Sequence, residues 1–517
     1  MHIIDVFDRG LRCNPDAICF IQDQRRYSYR EIDDLTRRIA QGLFASGLSP
    51  GAHGAVLSTN HPLAFACTLA LWRAEMVWIT LNARDTVQEI VTILNQLDCD
   101  ILFYHSTFSQ WMATFRTQAT HVKIFICIDQ QDEDFPALTQ WAEHYAPTTF
   151  DPSPDPDTLV TLQTTGGSTG LPKGVMHSSR SLLAMVDQHL ACMDYQGEPP
   201  VYLAAAPLTH TAGFLVPAIL ALGGTTVVLS RVNPREMLQA VAQYQVTTFF
   251  LPPTAIYSML AVPHLTDYDL SSLKFFVYGA SPMSPDKLQE TVAVFGPVML
   301  QVYGQQETEF PLTYLSPADH YENGSVASRQ RLMSCGRQAP LVEVAIMDGE
   351  GCIVPANHVG EIVARGATMM RGYYKNPSLT AQTWAHGWVH TGDLGYQDED
   401  GYFYIVDRVK DMIVTGGFNV YSSQVENVLL AHPAIHNCAV IGVPDEQWGE
   451  AVKAVVELKP GYTVSEEELI QFCKKQLGGV KTPKSVDFVQ TLPRSAVGKI
   501  LKRELRAPYW ADRERQV

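Results

Sequence analysis

Leu159-Val160-Thr161-Leu162-Gln163-Thr164-Thr165-Gly166-Gly167-Ser168-Thr169-Gly170-Leu171-Pro172-Lys173-Gly174 is the stretch on which the reading of this chain turns. Its first four residues are apolar or β-branched and suit a strand. The next twelve hold four glycines, four hydroxyl residues and one lysine. Glycine tolerates positive φ and has no Cβ, so backbone N–H groups can turn toward a ligand at close range. Thr164, Thr165, Ser168 and Thr169 add short donors and Lys173 adds a positive charge, a set that suits a polyanion such as a triphosphate. A Walker A loop needs G-x-x-x-x-G-K-[ST]; here Lys173 lies between Pro172 and Gly174, so that motif is absent. On spacing alone a flexible surface loop competes with this reading, because glycine-rich loops are common.

The rest of the chain bounds the class. At 517 residues it is long enough for roughly three to four domains and a large core. Hydrophobic residues at 46% and charged residues at 18% are those of an ordinary globular protein. A net charge of −16 argues against a general nucleic-acid binder, which needs a basic surface. The ten cysteines form no C-x-x-C pair, and no histidines cluster at ligand spacing, which favours reduced thiols and a cytoplasmic setting. Met1 to Asp5 shows no basic segment before an apolar run, so no signal peptide is expected. The most apolar windows, 64–81 and 213–230, are interrupted by Arg73 and Glu75 and by Pro217, Gly223 and Gly224, and neither reads as a membrane span.

Ser28-Tyr29-Arg30-Glu31 and Thr86-Val87-Gln88-Glu89 are capping boxes, each followed by apolar residues at helical spacing. Short apolar runs alternate with such helices: 101–104, 122–128, 201–205, 225–229, 246–251, 275–278 and 298–302 read as strands, and 234–244 as a helix with proline in its first turn. The alternation predicts α/β layers. The proline-rich segment 147–157 reads as a linker. Near Asp407-Arg408-Val409-Lys410 the texture turns shorter and more charged, which places a boundary between 1–407 and 408–517.

Thr165 to Gly174, TGGSTGLPKG, resembles the phosphate loop of the adenylate-forming superfamily, T-[SG]-G-[ST]-T-G-x-P-K-G, with Gly166 where serine is commoner. Further stations follow in family order. Pro207-Leu208-Thr209-His210-Thr211-Ala212-Gly213 resembles P-L-x-H-x-x-G, which would put His210 at the acid site, although a lone histidine in an apolar context is more often structural. Tyr278-Gly279-Ala280-Ser281-Pro282 resembles the turn bordering adenine. Gln301-Val302-Tyr303-Gly304-Gln305-Gln306-Glu307 resembles Y-G-x-T-E, in which the tyrosine packs on adenine and the glutamate supports Mg²⁺; Gln306 replaces threonine. Asp393 of Thr391-Gly392-Asp393 and Arg408 would hold the ribose, and Lys410 would be the interdomain hinge. Gly416, Gly417 and Trp448 match the pantetheine tunnel of the CoA ligases, and Lys499 in Pro493-Arg494-Ser495-Ala496-Val497-Gly498-Lys499 matches the adenylation lysine.

The resemblance implies a large multi-layer α/β N-terminal domain and a small mobile α+β C-terminal domain. It implies an AMP-forming acyl-CoA synthetase using ATP, Mg²⁺ and CoA. Thr165, Gly166, Gly167, Ser168, Thr169, Gly170, Lys173, Gly279, Ala280, Ser281, Gln301, Tyr303, Gly304, Gln306, Asp393, Arg408 and Lys499 would bind ATP, and Lys499, Glu307 and His210 would serve catalysis. No F-D-x-x motif follows Phe214, and Val302 is not the arginine of malonate-type enzymes. An apolar fatty or aryl acid is therefore expected, since an unpaired buried charge is costly. A carrier protein as acceptor, an inactive nucleotide-binding homologue and a homodimeric assembly stay open.

Overall fold

Ser28 and Thr86 cap their helices as the sequence predicts. Each side chain accepts from the backbone N–H three residues on, while Glu31 and Glu89 return the bond to the cap N–H at 2.8 and 2.7 Å. The helices so started run Tyr29–Ala45 and Val87–Gln96. The expected proline-led helix spans Pro234–Tyr244, with Asn233 as its cap. The protein is described from a computed structural model covering residues 1–132, 135–150, 155–165, 172–494 and 500–511. Gly166, Gly167, Ser168, Thr169, Gly170 and Lys499 lie outside the described residues.

The chain divides into two units. The first comprises Met1–Val344, Ala364–Val389 and Gly401–Phe403. It holds a seven-stranded sheet in the order Gly372–Tyr373, Lys173–Ser178, Leu159–Thr165, Val77–Thr80, His53–Leu57, Ile101–Tyr104, Ile124–Cys127. Five of these strands are parallel, as crossover helices require, and the hairpin formed with Leu159–Thr165 adds Lys173–Ser178 antiparallel. A nine-stranded sheet runs Arg337–Gln338, Glu309–Leu315, Met299–Gln305, Phe275–Gly279, Thr248–Leu251, Val201–Ala204, Thr225–Val228, Ile18–Gln22, Arg25–Ser28. One hydrophobic cluster takes residues from both sheets and from the helices Pro62–Arg73, Ser179–Cys192 and Val216–Ala221. Its spine is aromatic: Trp72 meets Trp78 edge-on at 5.9 Å, and Trp78 stacks on Phe214 at 5.5 Å.

The second unit comprises Ala345–Val363, His390–Asp400 and Tyr404–Val517. Its strands Phe418–Val420, Ile413–Thr415, Gly449–Leu458 and Ile435–Asp445 form one sheet, with Ser485–Val489 pairing Gly449–Leu458. Val425 and Leu429 of helix Ser422–Leu430 and Leu469 and Cys473 of helix Glu466–Lys481 close its core. Among the described residues no helix is long and apolar enough to cross a membrane.

Arg73, which breaks an apolar run in the sequence, is buried rather than set at a surface break. Its guanidinium lies 2.8 Å from Asp8 and 3.0 Å from Asp33, and its Nε donates to Thr36 at 3.2 Å. This ties helices Asp5–Cys13, Tyr29–Ala45 and Pro62–Arg73 at one point. Removing one partner of a buried pair strands the others. Arg73→Leu is therefore expected to lower unfolding free energy by about 3 kcal/mol; a denaturation midpoint equal to wild type would contradict this account of the tie.

Candidate active site

The hairpin register pairs Thr165 with Lys173, Gln163 with Val175 and Thr161 with His177. Side chains alternate along a strand, so Thr161, Gln163 and Thr165 share a face with Lys173, Val175 and His177. Thr164, on the opposite face, anchors the hairpin to its parallel neighbour: its N–H donates to Thr80 Oγ1 at 3.0 Å and its hydroxyl to the Thr80 carbonyl at 2.9 Å. Thr165 thus stands at the carboxyl end of a parallel strand, where open α/β sheets bind ligands.

The segment carrying Tyr303 to Glu307 comes from the other sheet. Strands Met299–Gln305 and Glu309–Leu315 pair antiparallel with a register shift between Tyr303 and Gln305. A Cβ at Gly304 would sit 2.5 Å from the Glu309 carbonyl, so only glycine fits this bend. Glu307 is held on two sides: Tyr373 donates to its Oε1 at 2.8 Å, and the Met370 N–H donates to its carbonyl at 2.9 Å. Lys173 Nζ lies over the Tyr373 ring, 5.4 Å from its centroid, a cation–π contact. Tyr373 therefore joins the hairpin lysine to the glutamate. Burial, with the Glu307 charge beside it, pushes the Tyr373 hydroxyl up, so it remains a donor at neutral pH.

The turn Gly279-Ala280-Ser281 follows strand Phe275–Gly279. Gly279 pairs with Val302, and a Cβ there would meet the Val302 carbonyl at 2.4 Å. Ala280 takes a left-handed φ of 67°, and Ala280 and Ser281 are exposed. Tyr278 beneath the turn is buried; it donates to His320 Nε2 at 2.9 Å and lies 3.3 Å from Gln301 Oε1.

His210 follows the strand Val201–Ala204 and caps the short helical turn Thr211–Leu215, its Nδ1 accepting from the Thr211 N–H at 2.8 Å. A neutral His210 ring then carries its proton on Nε2. The Gly213 spacing is steric, since a Cβ there would lie 1.8 Å from the Leu208 carbonyl. Asn60 fixes this stretch. Its amide donates to the carbonyls of Ala205 (3.1 Å), Ala206 (2.9 Å) and Leu229 (3.1 Å), and its Oδ1 accepts from the Leu208 N–H at 2.8 Å.

In the second unit Asp393 Oδ1 meets Arg408 Nε at 3.0 Å. The turn before it is set by Glu361, which accepts from the Gly392 N–H at 2.8 Å and meets His390 Nδ1 at 2.7 Å. Gly416, at φ 57°, lies against Trp448: a Cβ would reach the indole at 2.6 Å, and its N–H donates to the Trp448 carbonyl at 2.8 Å. Gly417, at φ 82°, has open space around it, and Trp448 is exposed. Lys410 stands on the exposed turn Val409–Asp411.

The sequence reading missed Asn60, Tyr373, His177 and Glu309. Gln163 lay within the quoted stretch, but only the alternation Thr161-Gln163-Thr165 hinted that it shared a face with the hairpin tip.

Residues 7–374 match the AMP-binding enzyme family, and 424–499 match the AMP-binding enzyme C-terminal domain. The chain belongs to the AMP-binding enzymes. It is 40% identical over 370 residues to the medium/long-chain-fatty-acid–CoA ligase FadD8 of Mycobacterium tuberculosis, covering 70% of this chain and 63% of that one. It is 34% identical to the fatty acid–[acyl-carrier-protein] ligase ScoC of Streptomyces coeruleorubidus over 97% of this chain and 95% of that one. Among solved structures it is similar to the amide bond synthetase McbA of Marinactinospora thermotolerans, with a TM-score of 0.87, 31% identity, and 98% and 100% of the two chains covered. The α/β adenylate-forming fold and the acyl-CoA ligase reading of the sequence agree with these matches.

Three imidazoles are buried in the first unit: His177 against Gln306, His189 against Phe310 and His320 against Tyr278. Burial lowers His177, His189 and His320 to about 4, so all three are neutral at pH 7. His189 lies against the Phe310 ring at 4.9 Å; the Phe310 backbone favours its proton slightly but stays outside hydrogen-bond geometry, so burial decides. A histidine whose pKa falls on folding takes up its proton in the unfolded chain first. Its contribution is intact above pH 6.5 and is lost as pH falls toward about 4. Between pH 7 and pH 5 the wild-type enzyme should lose roughly 2 kcal/mol more than His189→Leu; parallel stability–pH curves in urea titrations would refute this.

Proposed function

We propose that this AMP-binding enzyme activates a monocarboxylic acid with an apolar fatty or aryl tail as its acyl-adenylate, releasing pyrophosphate, and then forms the CoA thioester, releasing AMP. The observation that carries the reading is the meeting of two segments: Thr165 and Lys173 at the hairpin end, and Glu307 across Tyr373. A carboxylate must approach a polyanion, so positive charge and oriented donors have to offset both anions. Groups of this kind are worth about 10²–10³-fold each in rate. Lys173 would serve the β- and γ-phosphates, and Lys499, by its motif, the carboxylate and α-phosphate.

Magnesium fits the donor set. Among the described residues no group of three or more His, Cys, Asp or Glu is gathered to hold a metal. One carboxylate, Glu307, beside phosphate oxygens and water is what Mg²⁺ accepts. Bound there, it would neutralise phosphate charge. Asp393 and Arg408 would take the ribose hydroxyls, their 3.0 Å pair holding the carboxylate ready. Tyr303 would pack on adenine, bounded by Gly279, Ala280 and Ser281.

The acid stretch explains the preference for an apolar tail. Phe214, just past His210, and Val302 and Tyr278 of the later stations are buried and bring no charge to pair a second carboxylate or an amine. In a panel assayed for AMP and CoA-thioester release, medium-chain fatty acids and aryl acids are expected to exceed malonate and amino acids at least tenfold, the ratio of about 1.4 kcal/mol; preference for a dicarboxylate or an amino acid would reject the reading. The likeness to ScoC supports a second acceptor, a carrier-protein phosphopantetheine. Thioester formation on a holo carrier protein but not on free CoA would select it.

The boundary read at 407/408 falls within the interval between the two family matches. A C-terminal domain turning about Lys410 would present Lys499 for adenylation and the Gly416–Gly417 turn with Trp448 for thiol attack. Lys499→Ala should abolish pyrophosphate release yet convert supplied acyl-adenylate and CoA to thioester. Trp448→Ala should slow only the second step, because it undercuts the Gly416 turn. Equal loss of both steps in both variants would defeat the alternation.

A further inference from the structure

Behind Glu307 lies a polar cluster that the reaction does not use. Gln163 and His177 occupy the buried face of the phosphate hairpin, diagonal to one another in register. Gln163 Nε2 donates to Glu309 Oε1, and both side chains are about 2% exposed. His177 Nε2–H donates to the Gln306 carbonyl at 2.7 Å, and the same nitrogen lies 3.5 Å from Glu309 Oε1. Glu309 takes a left-handed φ of 54°, a conformation that costs energy outside glycine and persists only where its surroundings impose it. Two hairpin residues, 129 and 146 positions from the groups they bond, thus converge on the bend between Gln305 and Glu309.

Each anchor of that bend comes from the seven-stranded sheet. Gln163 and His177 stand on the hairpin; Tyr373 is paired with Val175 at its edge; Met370 precedes that edge strand. The bend itself belongs to the nine-stranded sheet. We propose that Gln163, His177 and Glu309 are positioning residues that pin the segment bearing Gln306 and Glu307 to the phosphate hairpin, and so fix the spacing of the two halves of the ATP site. His177 holds the Gln306 carbonyl, which sets the peptide leading into Glu307. The Gln163–Glu309 bond holds the strand that leaves the bend. Neither Gln163 nor Glu309 reaches the substrate; each acts through the segment that does. The inference rests on the ATP-site reading above.

Deleting one partner alone would leave a buried polar group unsatisfied and confound the result. Replacing both with apolar groups of similar shape is close to neutral for stability. The test is therefore Gln163→Leu combined with Glu309→Leu, beside Glu309→Gln and His177→Phe. Measured quantities are melting temperature, calorimetric affinity for Mg·ATP and for AMP, KM for ATP in pyrophosphate release, and the rate of thioester formation from supplied acyl-adenylate. The double variant is expected to melt near wild type, with KM and Kd for ATP raised about tenfold, the size of one lost hydrogen bond. Its thioester rate from supplied adenylate should be unchanged. Glu309→Gln, which still accepts from Gln163, should stay within about threefold of wild type. His177→Phe keeps a buried ring and deletes only the bond to the Gln306 carbonyl; it should raise KM for ATP similarly, and it tests the proposal should the double variant fail to fold. A folded double variant, or a folded His177→Phe, that binds and uses ATP as wild type does overturns the proposal. So does a Glu309→Gln as impaired as the double variant, which would make the carboxyl itself essential. Wild-type enzyme that binds no ATP would instead overturn the ATP-site reading.

Discussion

A polar group buried in the cluster shared by the two large sheets gains by finding a partner there, because an unpaired one costs on the order of 2–7 kcal/mol. This constraint shapes the first unit. Asn60 meets backbone carbonyls through its amide and the Leu208 N–H through its carbonyl oxygen, and so fixes the chain entering His210. Arg73 gathers Asp8 and Asp33. Gln163 takes Glu309, and His177 takes the Gln306 carbonyl. Each pairing crosses from one element to another, so each also fixes where those elements lie.

The site follows from that arrangement. Parallel strands bring the ends of Val77–Thr80, Leu159–Thr165, Val201–Ala204, Phe275–Gly279 and Met299–Gln305 to their carboxyl edges, where loops are free to carry chemistry. Glycines stand where backbone passes backbone: at Gly213 against Leu208, at Gly279 against Val302, at Gly304 against Glu309. At these three the missing Cβ is a matter of space; at Gly392 and Gly417 it is the left-handed φ, and at Gly416 it is both. Spacing in the sequence motifs thus records two different physical needs.

Much of the fold was legible because local chemistry decides it. A capping box is complete within four residues, and a strand ending in glycine and hydroxyl residues announces both its type and its loop. The polar cluster behind Glu307 had no such signal. Glu309 is two residues past Glu307 and reads as one more surface acid; Arg73 reads as a break in an apolar run. Both are buried, because a charge or a carboxyl can enter a core once its partner is delivered by a distant element.

The sequence by itself determined the α/β alternation, the helix starts at Ser28, Thr86 and Pro234, the strand that leads into the glycine- and hydroxyl-rich stretch, and the family to which the stations point. Each of these is settled by residues within a turn or a strand of one another, so propensity, capping and motif spacing suffice. Only the tertiary structure decided that Tyr373 would bridge Lys173 and Glu307, that Asn60 would hold the approach to His210, and that Gln163 and His177 would pin the Glu307 segment. Those contacts join residues 129 to 200 positions apart, or link two sheets, and their energy exists only once the shared core has excluded water and left each polar group the protein's own groups as partners.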